Sequence, residues 1–190
     1  IPLPRDLYGA DRVNSAGVNL ADESAVLTLS SGMQPFARCR WDVQPILASG
    51  LGEEGGGSHD NVNPGRLNDV IGEVRQASLE ETEQAISDAC AFSEDWDRIP
   101  GSERARLLEK AADLMEQNSA EFLALCAREA GKTAHDAVAE VREAVDFLRY
   151  YALQARQRFD SPMALPGPTG EHNELSLHGK GVFVCISPWN

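Results

Sequence analysis

The chain has 190 residues, 42% hydrophobic and 25% charged, the proportions of an ordinary folded domain, not of a disordered or collagen-like one. Thirty acidic against 17 basic residues leave a net charge of −13, which repels phosphate backbones and argues against nucleic-acid binding by this stretch. No apolar run approaches the roughly 20 residues that a membrane-spanning helix needs. Four scattered cysteines, Cys39, Cys90, Cys126 and Cys185, form no C-x-x-C pair and have no His at ligand spacing, so no metal site is expected.

The start at Ile1-Pro2-Leu3-Pro4-Arg5-Asp6 has neither an initiator Met nor a signal-peptide pattern. Together with the end at Pro188-Trp189-Asn190, directly after a strand-like run, it suggests a fragment of a longer chain. Residues 1–60 differ from the rest. Pro2, Pro4, Pro35 and Pro45 interrupt them, and the glycines between Gly50 and Gly57 have the composition of a flexible connector. This region is expected to be a linker with local structure, a helical turn or two over Asp22 to Ser31 and another over Arg38 to Leu47.

After Asn61 the punctuation becomes regular. Asn63-Pro64-Gly65 is a turn, and Val70-Ile71-Gly72-Glu73-Val74 a short strand. Ser78 precedes Glu81 at the capping-box spacing and opens a helix to about Trp96. Beyond the Pro100-Gly101 break, Ser102 is placed to cap a second helix, with Leu108, Ala111, Ala112 and Met115 as its buried stripe. Ser119 is placed to cap a third, which Gly131 stops. Thr133 opens a fourth, to about Phe159, with Val138, Val141, Val145, Leu148 and Ala152 facing inward. Cys90 and Cys126 fall in these helical patterns as small buried hydrophobes.

Pro162 to Gly170 then reads as a loop, and Glu174-Leu175-Ser176-Leu177-His178 as an exposed strand. The continuous apolar run Gly181-Val182-Phe183-Val184-Cys185-Ile186 suits a buried, parallel-type strand. The expected class is α/β, mostly helical over this stretch, with a short N-terminal β-hairpin and a C-terminal buried strand.

Gly131-Lys132-Thr133 invites a phosphate-loop reading, but the motif's first glycine is replaced by Cys126 and the tripeptide lies between two helices. A helix stop and restart accounts for it better. Two places carry a functional reading. Ligands of open α/β sheets bind past the carboxyl ends of strands, which draws attention to Ile186-Ser187-Pro188-Trp189-Asn190; a turn with a packed Trp is the alternative. Glu143 flanks the valine stripe of the fourth helix, where it either looks into a cleft or is simply solvated.

From Asn61 to Asn190 these segments resemble the aldehyde dehydrogenase superfamily. The resemblance is carried by Asn63-Pro64 with Ile71-Gly72-Glu73-Val74, Arg104-Ala105-Arg106-Leu107-Leu108, Arg128-Glu129-Ala130-Gly131-Lys132-Thr133, Phe147-Leu148-Arg149-Tyr150-Tyr151-Ala152 and Ile186-Ser187-Pro188-Trp189-Asn190. Ile1-Pro2-Leu3-Pro4-Arg5-Asp6-Leu7-Tyr8-Gly9 and Glu140-Val141-Arg142-Glu143-Ala144-Val145-Asp146-Phe147 are similar to the bacterial bifunctional family that joins a proline dehydrogenase to a pyrroline-5-carboxylate dehydrogenase.

That resemblance implies a linker over residues 1–60, after a flavin-dependent proline dehydrogenase half. Residues 61–190 would begin the NAD-binding domain, and 160–180 the extension used for homo-oligomerisation. The implied activity is NAD-dependent oxidation of L-glutamate γ-semialdehyde to L-glutamate in the cytoplasm, with peripheral attachment to the inner membrane left open. FAD would serve the upstream half and not this chain. The family's nucleophilic cysteine and general-base glutamate would lie beyond Asn190, leaving this stretch inactive alone. Cys185 is not that nucleophile. Ile186, Ser187, Pro188 and Trp189 would line NAD, Asn190 would supply the oxyanion-hole amide, and Glu143 would face the aldehyde. The alternatives are another NAD(P)-dependent aldehyde dehydrogenase, such as one for succinate semialdehyde, and a non-catalytic scaffold segment.

Overall fold

Capping chemistry sets most helix boundaries in the computed structural model, which describes residues 2–52 and 55–187. Helix α1 (Glu23–Met33) starts where Asp22 accepts a hydrogen bond from the Ser24 amide at 2.8 Å, and it runs past the turn or two expected. Helix α2 (Leu79–Arg98) has the reciprocal capping box: Ser78 Oγ accepts from the Glu81 amide at 3.1 Å, and the Glu81 carboxylate from the Ser78 amide at 2.9 Å. Helix α5 (Ala134–Phe159) opens with Thr133 Oγ1 accepting from the Asp136 amide at 3.2 Å.

The expected caps Ser102 and Ser119 are not caps. Helix α3 (Gly101–Gln117) begins straight after Pro100, and the Ser102 amide donates instead to Asp160 at the far end of α5, at 2.6 Å. Helix α4 (Ser119–Glu129) has Ser119 as its first residue, because the intervening Asn118 turns its side-chain amide back to the Leu114 carbonyl at 2.8 Å. Gly131, at φ 65°, ends α4, and the Lys132 amide returns to the Cys126 carbonyl at 3.2 Å. Lys132 Nζ then pairs with Glu140 at 2.6 Å, and Thr133 caps α5. Gly131-Lys132-Thr133 is a helix stop and restart.

Helices α3 and α5 lie antiparallel, Gly101 against Ala155 and Phe159, and Arg149 against Asp113 and Glu116. Ala105, Ala112, Val145 and Ala152 are wholly buried between them, their small side chains permitting close approach. Leu123, Ala137, Val138 and Val141 form the neighbouring core, covered by Val18, Leu29 and Met33 from the N-terminal segment and α1. On α5 the expected Val138, Val141, Val145 and Ala152 are buried and Leu148 half-buried. On α3 only Ala112 of the expected stripe is buried, Leu108, Ala111 and Met115 are half-buried, and the wholly buried Ala105 lies outside that stripe.

The hairpin reaches beyond the expected strand. Strand β1 (Ile46–Leu47) pairs with β2 (Gly50–Leu51), and β3 (Ser58–Asn63) with β4 (Arg66–Arg75), both antiparallel. Arg38 to Leu47 contains no helix. Residues 41–43 run along the outer edge of β4, where the Trp41 amide donates to the Ile71 carbonyl and the Val43 amide to the Glu73 carbonyl, both at 2.9 Å. A free strand edge satisfies backbone groups more fully than an isolated helical turn. Gly72 allows the approach, since a Cβ there would overlap the Trp41 carbonyl. Nor is the glycine-rich stretch merely a flexible connector. Gly52 and Gly55 lie against the tips of the Arg75–Glu81 ion pair, which a Cβ at either position would have to displace.

At the other end, β5 (Met163–Leu165) and β6 (Asn173–Leu175) form a hairpin, so the expected loop is partly strand and the expected strand shorter. Gly181 to Ile186 is not a buried strand. It forms no strand pairing among the described residues, with Phe183 72% and Ile186 84% exposed. A parallel-type strand is buried only by neighbours on its edges and faces, and the described residues supply none. Cys185 and Cys90 are exposed for the same kind of reason, Cys90 because α2 buries none of its residues. Cys39 and Cys126 are partly enclosed, and at Cys126 burial followed by the nearby Glu140 pushes the thiol up.

Two carboxylates tie the strands to the helices. Arg128, and then Asn63, hold Asp69 below the ordinary carboxylate range, while Arg128 also donates to the Phe36 and Cys39 carbonyls. Arg75, and then the Ser78 amide, do the same for Glu81. Lowered folded-state values mean stabilisation that is complete above the unfolded pKa and lost as pH falls through the folded one. The melting temperature should therefore drop on acidification below about pH 4, and Asp69→Asn should make that decline shallower. An identical acid limb in the variant would contradict the assignment.

Candidate functional site

The helix period places Glu143, Phe147 and Tyr150 on one outward face of α5, away from Val141 and Val145. Glu143 is exposed and borders a recess of about 330 Å³ lined by Arg12, Glu143, Asp146, Phe147 and Tyr150. Phe147 stacks on Tyr151 with ring centroids 6.0 Å apart, and Tyr150 meets Tyr151 edge-on at 5.2 Å, which holds this aromatic face in place.

The other wall comes from the N-terminal segment, fastened to α5 through Ser15, which is only 2% exposed. The Ser15 amide donates to Asp146 Oδ1 at 2.6 Å and Ser15 Oγ to Asp146 Oδ2 at 3.1 Å, while Arg142 Nε donates to Ser15 Oγ at 3.2 Å. Gly17, at φ 72°, packs against the Arg142 side chain, in a backbone conformation that side-chain-bearing residues rarely adopt. Asp146 thus spends both oxygens on Ser15. Arg12 sits upstream with its guanidinium carbon 4.1 Å from the Tyr8 ring centroid and 5.4 Å from that of Tyr150.

Of the residues singled out in the sequence, Glu143 lies at this recess, on a solvated surface and not in a deep cleft. Ile186 and Ser187 are exposed in the extended C-terminal stretch and do not line it. Pro188, Trp189 and Asn190 lie outside the described residues. Among the described residues, Ile186 and Ser187 form no cleft that would fit a dinucleotide. Sequence reading passed over Arg12, Ser15 and Asp146. The only available signal was the run Arg12-Val13-Asn14-Ser15, and nothing in it points to a helix more than a hundred residues away.

Residues 52–190 match the aldehyde dehydrogenase family, and the chain belongs to that family. The described elements are part of its α/β fold. More particularly, the chain is 45% identical to the bifunctional protein PutA of Klebsiella aerogenes over 190 residues, 100% of this chain and 13% of that protein. It is 33% identical over 174 residues to 1-pyrroline-5-carboxylate dehydrogenase 2 of Bacillus subtilis, 90% of this chain and 33% of that one. A crystal structure of bifunctional proline utilization A superimposes with a TM-score of 0.71 at 38% identity, over 95% of this chain and 15% of that one. The chain thus spans a small part of the length of these relatives.

Proposed function

We propose that this chain is a segment of a bifunctional proline-catabolic enzyme whose aldehyde dehydrogenase half oxidises L-glutamate γ-semialdehyde to L-glutamate. One observation carries the reading: similarity to the bifunctional relative runs through all 190 residues, including those before position 52, where the family match begins. Residues 1–60 would join the flavin-dependent proline dehydrogenase half to residues 61–190, the start of the NAD-binding domain. The exposed apolar residues of the β5–β6 hairpin, Met163, Leu165 and Leu175, support a homo-oligomerisation role for residues 160–180. Among the described residues no helix is long and apolar enough to cross a membrane, and the reading places the enzyme in the cytoplasm.

NAD, when bound, supplies the hydride acceptor. Contacts to it from Ile186, Ser187, Pro188 and Trp189 rest on the family resemblance, as does an oxyanion role for Asn190. Glu143 has support from the fold. Its carboxylate is open to solvent, while the neighbouring Asp146 is occupied by Ser15. A carboxylate free beside an aromatic wall suits the ammonium of an amino-acid aldehyde.

The full-length protein should oxidise L-glutamate γ-semialdehyde with higher kcat/KM than succinate semialdehyde, which lacks the ammonium. Glu143→Ala should lower kcat/KM for the amino-acid aldehyde roughly 10–100-fold, the worth of a hydrogen bond to a charged group, and much less for an aliphatic aldehyde. Equal losses would make Glu143 structural. A wild-type preference for succinate semialdehyde would overturn the substrate.

A further inference from the structure

Residues 15–43 precede position 52, where the family match begins, yet they are fastened to the matched part at three places. Ser15 is clamped to Asp146 and Arg142 of α5, and the next amide, that of Ala16, donates to Glu116 of α3 at 3.3 Å. Val18, Leu29 and Met33 then cover the core of Leu123, Val138 and Val141. The third place is a latch. Arg128 of α4, only 9% exposed, donates to the Phe36 and Cys39 carbonyls at 3.0 and 2.7 Å, with its guanidinium carbon 5.3 Å from the Trp41 ring centroid. Trp41 stacks on Phe36, its Nε1 donates to Glu121 at 2.7 Å, and residues 41–43 run along the edge of β4.

A slack tether makes no such contacts, because ordering each residue costs roughly 1–2 kcal/mol of backbone entropy that burial and hydrogen bonding must offset. The similarity to the Bacillus subtilis relative, named for the pyrroline-5-carboxylate dehydrogenase alone, spans 90% of this chain and so cannot avoid residues 21–51. A segment that served only to join two enzymes has no reason to recur there. We propose that residues 15–43 are a strap belonging to the dehydrogenase half, with the α4–α5 face and the β4 edge as its docking surface and Arg128 as its latch. The proposal rests on the two-half reading above and changes what the join is. Across these residues it is taut, and the proline dehydrogenase half is attached to a fixed element of its neighbour.

Trypsin tests this on the full-length protein, because Arg38 and Arg40 are exposed within the strap. Cleavage needs a locally opened backbone, so its rate at these two arginines reads how often the strap lifts. New chain starts at positions 39 and 41, followed by mass spectrometry, should appear at least about 100-fold more slowly than from a free peptide spanning residues 34–45. Arg128→Met should speed that cleavage roughly 10–100-fold, the worth of hydrogen bonds to a charged group. Trp41→Phe keeps a ring but loses the bond to Glu121, so it should speed cleavage by less, and it still reads the latch if the methionine variant fails to fold. In both variants heat should inactivate NAD-dependent aldehyde oxidation earlier, with proline oxidation unchanged. Cleavage as fast as in the peptide, or unmoved by both variants, would overturn the strap. Protection in a wild type that oxidises no proline would leave the strap standing and remove the two-half reading.

Discussion

Ile71→Ala is expected to destabilise the aldehyde dehydrogenase family domain of the full-length protein by about 2–5 kcal/mol, the lost transfer energy plus the cavity left behind. Ile71 is only 2% exposed and is among the largest fully buried side chains. Its carbonyl also receives the Trp41 amide at 2.9 Å, so its strand anchors the segment alongside it. The rest of the core is thin in large side chains, with Ala105, Ala112, Ala124, Ala137 and Ala152 prominent among its buried residues. Against a typical total of about 5–15 kcal/mol the loss is substantial. Ile71→Val should cost only about 0.5–1.5 kcal/mol, and Ile86→Ala, at an exposed site on α2, still less. Urea denaturation of the three variants checks the order. An Ile71→Ala no worse than Ile71→Val would show that β4 is not held as described.

Asn190→Ala is expected to lower kcat roughly 10²–10³-fold, about 3–4 kcal/mol, if its amide stabilises the oxyanion formed when a thiolate attacks the aldehyde. That charge appears only as the transition state forms, so a fixed donor raises kcat without first tightening substrate binding. A helix-capping Asn would instead lose about 1 kcal/mol of stability and leave kcat nearly untouched. Steady-state kinetics and a thermal melt on the one variant separate the two, and an unchanged kcat would sink the oxyanion role.

What was legible in the sequence was local. Ser78 with Glu81, Thr133 and Gly131 act within a few residues of themselves, and the stripe of α5 follows from the helical period. What was not legible depends on partners far along the chain. Trp41 and Val43 are extended because β4 offers an edge, and that edge belongs to a later segment. Arg128 stands in an ordinary helical pattern, yet it is nearly buried against Asp69 and two carbonyls. Gly181 to Ile186 showed its apolar character plainly, but burial is conferred by flanking strands. At the candidate site Glu143 could be singled out from its place beside the stripe. Arg12 could not, because Ser15 reaches Asp146 across most of the chain.

The proposed bifunctional enzyme is tested most directly by supplying the full-length protein with L-proline, a quinone acceptor and NAD. Stoichiometric NADH and L-glutamate should form from the proline consumed, with no second enzyme added. Failure to oxidise proline, or proline oxidation that yields no NADH, would contradict the bifunctional assignment.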